Sequence, residues 1–126
     1  EGWQLSNPPI LSMAAIKASL DLFDEVGMDA LREKSKKLTG YFEFLITEID
    51  SEDITIITPF NPEERGCQIS IQVKNADKNL HKKLTAQHVI TDWREPDVIR
   101  CAPVPLYTSF EEVYRMVSIL KELLKK

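Results

Sequence analysis

The chain has 126 residues, of which 43% are hydrophobic, and this suits a single domain with one apolar core. Its 16 basic and 20 acidic residues are interleaved and sum to a net charge of -4, so we expect no nucleic-acid partner. Every apolar run is far shorter than the roughly 20 residues of a membrane span, and two cysteines without a signal-peptide pattern favour a reducing, cytoplasmic setting over a membrane or secreted one.

Two long helices are predicted at the start of the chain. The segment Ser6-Asn7-Pro8-Pro9 is typical of an extended turn, because proline fixes its own φ and disfavours helix before it. From Ile10 to Val26 apolar residues recur at steps of three and four, and Gly27 stands where a left-handed C-terminal cap is expected. A second amphipathic helix is predicted from Asp29 to Ile49.

The next part of the chain has the short period of a β-sheet. Residues 54–58 form a β-rich run that ends at Pro59, which predicts a short strand. Apolar and polar residues then alternate over 67–73, which predicts a strand with one buried face on which Cys67 packs as a small hydrophobe. Asp77 follows as the N-cap of a short helix.

Two more strands and a final helix complete the predicted order. Extended segments are expected over 89–93 and 98–102, and Ser109 with Glu112 three residues later forms a capping box for the last helix. The order α-α-β-β-α-β-β-α does not alternate strictly, as a parallel doubly wound sheet would require. We therefore predict an α+β fold, with helices covering a small mixed or antiparallel sheet.

The sequence contains no complete catalytic or metal-binding motif. His81 and His88 are the only histidines, and Cys67 and Cys101 do not form a CxxC pair, so the usual ligand spacing of a zinc site is missing. No glycine-rich phosphate loop is present. We expect no metal site and, from the residues alone, no catalytic residues.

Three segments depart from the pattern of an ordinary domain. The first contains Asn7, whose amide is held beside two prolines, although from the spacing alone an ordinary helix-entry turn is the favoured interpretation. In the second, Gly66 is expected to adopt a conformation that other residues resist, and Arg65 to pair with an anion or with a neighbouring carboxylate, of which a loop ion pair is favoured. The third contains Arg100, inside an apolar strand.

Arg100 leaves two interpretations open. A guanidinium is costly among apolar neighbours unless an anion meets it, and arginine suits bidentate recognition of a carboxylate. Alternatively, the strand lies at a sheet edge, where Arg100 reaches water or an internal Asp or Glu.

Four stretches of this sequence together resemble the C-terminal part of the kynureninase family, pyridoxal-phosphate enzymes of the fold-type-I aminotransferase superfamily. The stretches span nearly the whole chain, and they are LSNPPI at 5–10, LTGY at 38–41, ERGCQ at 64–68, and IR-x-APVPLY at 99–107. The resemblance implies that residues 1–126 are the small C-terminal domain of a longer chain. The resemblance then implies that the N-terminal large domain, which makes most of the contacts with pyridoxal phosphate, is absent here.

The resemblance also implies a function and two site residues. The family hydrolyses L-kynurenine, or its 3-hydroxy form, to an anthranilate and L-alanine in tryptophan catabolism and NAD biosynthesis, and it works as a homodimer. Arg100 matches the arginine that binds the substrate α-carboxylate, and Asn7 matches an asparagine that reaches the cofactor and substrate. The Schiff-base lysine belongs to the large domain, so the chain alone is expected to be inactive and to bind pyridoxal phosphate poorly.

Two alternative functions are kept. One is the small domain of a related desulfurase or aminotransferase, and the other is a free-standing binding or oligomerisation module. A domain separated from its partner is expected to expose an apolar surface, here around residues 5–13, whereas a free-standing module is not.

Overall fold

The computed structural model describes residues 6–125. This part of the chain forms two compact units, which divide between Leu31 and Arg32. Within it, none of the helices combines the length and the apolar character that crossing a bilayer requires.

The first unit contains the helix α1, Ile10–Val26, and the beginning of the second helix, α2, which spans Met28–Thr47. Gly27 ends α1 with φ 82° and ψ 138°. The positive φ agrees with the predicted cap, but this ψ lies outside the left-handed helical region, in backbone space that only glycine adopts readily. The apolar side chains of Ile10, Leu11 and Met13 are 72%, 89% and 54% exposed. The predicted exposed apolar surface is confirmed over these residues, whereas Leu5 lies outside the described residues.

The element order agrees with the prediction throughout. Helix α2 spans Met28–Thr47, and it is followed by strand β1 at Ile54–Ile56, strand β2 at Ile69–Val73 and helix α3 at Lys78–Ala86. Strand β3 at Asp92–Arg94, strand β4 at Val98–Cys101 and helix α4 at Phe110–Leu124 complete the fold, with one 3-10 turn at Pro62–Glu64. The predicted α+β class is confirmed.

The four strands form one sheet in the order β1-β2-β4-β3, and each neighbouring pair is antiparallel. Strand β1 is shorter than predicted, because the Thr58 hydroxyl accepts a hydrogen bond from the Ser70 backbone N–H at 2.8 Å. That bond replaces a further step of the backbone ladder. Cys67 precedes β2 and is only partly buried, so the predicted buried alternation begins at Ile69 instead.

One face of the sheet carries the hydrophobic core. Helices α2, α3 and α4 pack against the inward side chains of β2 and β4. The fully buried members are Leu38, Ile69, Ile71, Leu84, Ile99 and Leu120. The opposite face of β2 and β4 presents Ser70, Gln72 and Arg100, all at least partly exposed. Strand alternation therefore separates an apolar inner face from a polar outer face.

The capping box at α4 gives a first prediction. The Ser109 hydroxyl accepts from the Glu112 backbone N–H at 3.1 Å, and the Glu112 carboxylate accepts from the Ser109 backbone N–H at 2.7 Å. We expect Ser109→Ala to lower the free energy of unfolding by about 1 kcal/mol in urea titrations. The exposed neighbour Glu111 provides the control, Glu111→Ala. Equal losses in the two variants would contradict a capping role.

The same box has a pH dependence. Hydrogen bonds from the Ser109 backbone and hydroxyl lower the pKa of Glu112 below its usual value. A carboxyl with a lowered folded-state pKa stabilises the fold fully above its unfolded pKa, and this contribution is lost as the pH falls toward the folded value. The difference in stability between wild type and Glu112→Gln should therefore shrink on acidification below about pH 4.3, the ordinary pKa of glutamate.

Candidate functional site

Arg100 lies in the middle of the sheet, on its outer face. Strand β4 is flanked by β2 and β3, so the expectation that Arg100 occupies an edge strand is wrong. Ile99 and Cys101 point into the core, and the alternation places Arg100 on the opposite face, where its side chain remains 32% exposed. The guanidinium therefore lies outside the apolar core, although Arg100 belongs to an interior strand.

An internal carboxylate meets Arg100, as the second interpretation of the sequence allowed. Asp92 of β3 stands directly opposite Arg100 in the antiparallel register. Its Oδ2 accepts a hydrogen bond from Nε of Arg100 at 2.8 Å and a second one from Nη2. Nη2 of Arg94 lies 3.1 Å from the same oxygen. The hydrogen bond from Arg100 is the main reason that the pKa of Asp92 is lowered.

The remaining outer-face neighbours are polar. Ser70 of β2 stands opposite Arg100 on the side away from Asp92, so the three residues form one row across the sheet. Two residues further along β2, Nε2 of Gln72 donates to both carboxylate oxygens of Asp97, at 3.2 and 3.0 Å. On this face, the partly exposed guanidinium of Arg100 is a group that is chemically suited to binding a small anion.

The side chain of Arg65 makes contacts within the fold. The side chain of Arg65 is 2% exposed, and its Nη1 lies 2.6 Å from Oε2 of Glu43 on α2. The same Nη1 donates to the Pro59 carbonyl at 3.0 Å. The predicted ion pair is confirmed, and its partner Glu43 is a partly exposed residue of α2. The expectation for Gly66 is wrong, since Gly27 is the glycine with positive φ in the described range.

Two further contacts hold this loop against α2. Nη1 of Arg32 donates to the Arg65 carbonyl at 3.0 Å, and Nζ of Lys36 lies 2.8 Å from Oε1 of Glu63. That hydrogen bond from Lys36 lowers the pKa of Glu63. The loop that leads into β2 is therefore fastened to α2 by side chains spaced along one face of the helix.

Asn7 belongs to the first unit, in the extended segment before α1. Its side chain is exposed, and Pro9 begins the helix by accepting a backbone hydrogen bond from Met13 at 3.0 Å. Within residues 6–125, no hydrogen bond to the Asn7 amide is found, so both its donor and its acceptor are available. Arg100 belongs to the second unit.

The APVPLY segment connects β4 to α4 and borders a cavity. The cavity has a volume of about 450 Å³, and its lining includes Cys101, Pro103, Tyr107 and Met116 but not Arg100. It therefore opens on the helix-covered side of the sheet and is separate from the outer face. Burial raises the pKa of the Cys101 thiol to about 12, so this cysteine is an inert core residue and not a nucleophile.

Sequence reasoning missed two partners, Asp92 and Glu43. A signal for Asp92 was present: if the strands on either side of Glu95-Pro96-Asp97 pair symmetrically about Pro96, residue 92 stands opposite residue 100. No comparable local signal links Glu43 to Arg65, because they are brought together by packing of a loop on a helix.

The described side chains include no cluster of metal ligands and no buried lysine. Between Ser6 and Lys125, no three His, Cys, Asp or Glu side chains gather as ligands. The buried polar side chains of this range are Ser35, Thr39 and Arg65, none of them a lysine. A Schiff-base lysine needs the lowered pKa that burial gives, whereas the pKa of Lys36 is raised by its hydrogen bond to Glu63.

The fold and the outer face together define a small α+β domain that presents an arginine from the middle of an antiparallel sheet. A family model described as the kynureninase C-terminal domain matches residues 31–120. The chain belongs to this family.

Similar proteins carry the same family name. The chain is 51% identical over 117 residues to a kynureninase of Koribacter versatilis, and these cover 93% of this chain and 28% of that protein. It is 50% identical over 121 residues to a kynureninase of Myxococcus xanthus, covering 96% and 28%. A kynureninase of Flavobacterium johnsoniae is 52% identical over 124 residues, covering 96% and 29%. The chain thus spans less than a third of the length of these relatives.

Proposed function

We propose that this chain is the small domain of a pyridoxal-phosphate-dependent kynureninase, which hydrolyses L-kynurenine or 3-hydroxykynurenine to the corresponding anthranilate and L-alanine. The observation that carries the proposal is a partly exposed guanidinium at the centre of the outer sheet face, in a chain of the kynureninase C-terminal domain family. In this proposal Arg100 binds the α-carboxylate of the substrate, which lies against the outer face.

The residues present fit only part of a pyridoxal-phosphate site. The exposed amide of Asn7 has the donor and acceptor needed to contact a hydroxyl or phosphate group of the cofactor. The described residues offer no buried lysine, so the attachment of the cofactor is assigned to a large domain of the whole protein. When bound, pyridoxal phosphate supplies an electron sink for the charge that develops at the substrate Cα.

The chain's own contribution is recognition rather than proton transfer. Arg100 holds the carboxylate by charge-assisted hydrogen bonds and thereby fixes the direction in which the rest of the amino acid extends. We assign no catalytic residue to residues 1–126, and we expect the isolated chain to be inactive. A homodimer, a covering large domain and a cytoplasmic location stay predictions.

The test is an activity assay on the whole protein that contains this chain. We expect the protein supplied with pyridoxal phosphate to form anthranilate or 3-hydroxyanthranilate together with equimolar alanine, and the isolated chain to form neither. Cysteine, and an amino donor with an oxo acid, are assayed beside the two kynurenines. Sulfur release or transamination without kynurenine cleavage would instead establish the desulfurase or aminotransferase alternative.

A further inference from the structure

Arg100 has two edges through which it can bind a carboxylate, and one of them is already occupied. Asp92 accepts from Nε and Nη2, which together form the side edge of the guanidinium. In the described part of the chain, Nη1 has no hydrogen-bond partner. An incoming carboxylate can therefore bind in the fork between Nη1 and Nη2 without displacing Asp92.

The backbone holds this arrangement in place. Asp92 and Arg100 are directly opposite each other on adjacent antiparallel strands, where side chains on one face are close neighbours. Both strands are short and belong to the same sheet as the buried β2. Strand register therefore sets the contact between Asp92 and Arg100, and the two hydrogen bonds to Asp92 restrain the arginine side chain.

The charges are also suitable for a monoanion. A lone Asp92 would neutralise Arg100 and weaken its attraction for a second carboxylate. Arg94, however, shares the same Asp92 oxygen at 3.1 Å, so the three side chains together keep a net charge of +1. One carboxylate brings the group to neutrality.

We propose that Asp92 is a positioning residue, which holds Arg100 by its side edge so that the free end of the guanidinium receives the substrate carboxylate. This rests on the proposed function, because it assigns the ligand of Arg100. The opposite possibility is that Asp92 competes with the substrate carboxylate for Arg100, and the two differ in the direction of the effect on KM.

The experiment uses the whole protein loaded with pyridoxal phosphate and the variant Asp92→Asn. We expect KM for kynurenine to rise about tenfold, the usual effect of losing one charge-assisted hydrogen bond, with kcat changed less than threefold. The inhibition constant of the decarboxylated analogue of kynurenine should not change, since that ligand has no carboxylate for Arg100. Asp92→Glu restores the charge and should recover part of the loss.

The matched control is Asp97→Asn, which removes an outer-face carboxylate that bonds Gln72 instead of an arginine. We expect its KM to equal that of wild type.

A lowered KM in Asp92→Asn would show competition, and an unchanged KM would show no role, so either result overturns the proposal. Equal weakening of kynurenine and the decarboxylated analogue would also overturn it, as a general distortion. If Asp92→Asn does not fold, the same comparisons are made with Asp92→Ser, which also removes the carboxylate. Wild-type protein that does not cleave kynurenine would overturn the proposed function itself and this proposal with it.

Discussion

Replacing Arg100 by alanine in the whole protein is expected to raise KM for kynurenine strongly, with a smaller effect on kcat. Loss of a desolvated charge pair costs about 2 to 5 kcal/mol, which corresponds to roughly thirtyfold or more in binding. The Arg100 side chain is 32% exposed in this chain, and the substrate and the large domain are proposed to cover the exposed part. Steady-state kinetics at saturating pyridoxal phosphate measure both constants.

The control for this prediction is Arg115→Ala. Arg115 is an exposed arginine on α4 that lines the cavity on the helix-covered side, so the variant removes the same charge from the other side of the sheet. Kinetic constants close to those of wild type are expected. Unchanged kynurenine cleavage in Arg100→Ala would show that the carboxylate is bound by other residues.

The second large effect is expected on stability, from Glu43→Ala. This change leaves the Arg65 guanidinium, whose side chain is 2% exposed, without its carboxylate. Removing one partner of a buried ion pair costs about 3 to 5 kcal/mol, and the 21% exposure of the Glu43 side chain places the expected loss near the lower value, about 3 kcal/mol. Urea titration of the whole protein measures the loss in the free energy of unfolding. Amide hydrogen exchange in β2 shows whether the loss extends to this strand.

Two further variants test the cause of that loss. Glu48→Ala removes an exposed glutamate just after α2 and should be nearly neutral. The double variant Glu43→Leu with Arg65→Leu removes both charges, and it should recover most of the stability because no unpaired charge stays buried. A double variant as unstable as Glu43→Ala would mean that packing of the loop, and not the ion pair, dominates.

Most of the fold follows from local periodicity. Steps of three and four predicted the helices, alternation predicted β2, and the cap residues Asp77 and Ser109 were both confirmed at their helix starts. The ends of elements were less accurate, because they depend on contacts outside the pattern. Helix α2, for example, ends at Thr47 and not Ile49, and Asp50 adopts a positive φ of 51° just beyond it.

The strand order could not be predicted from local pattern. Strand β4 inserts between β2 and β3, and this choice depends on how α3 carries the chain across the sheet. The local pattern indicates that Arg100 is a charge that needs an anion. Its interior position and its partner Asp92 depend on the strand order, so they were found only in the structure. The roles assigned to Arg100 and Asn7 stay predictions.

The alternation along β4 also places neighbouring residues under different evolutionary constraints. Ile99 and Cys101 are buried in the core, so their replacement affects folding, while Arg100 between them is the residue proposed to bind the substrate. In β4, a change of ligand therefore needs substitutions only at residues that face the outer side of the sheet. A change in core packing needs substitutions only at residues that face the core. Deleting a single residue from the β3–β4 turn would shift the register by one, so that inward-facing residues of β4 become outward-facing and the reverse. The length of this hairpin is therefore more tightly restrained than the identity of its residues.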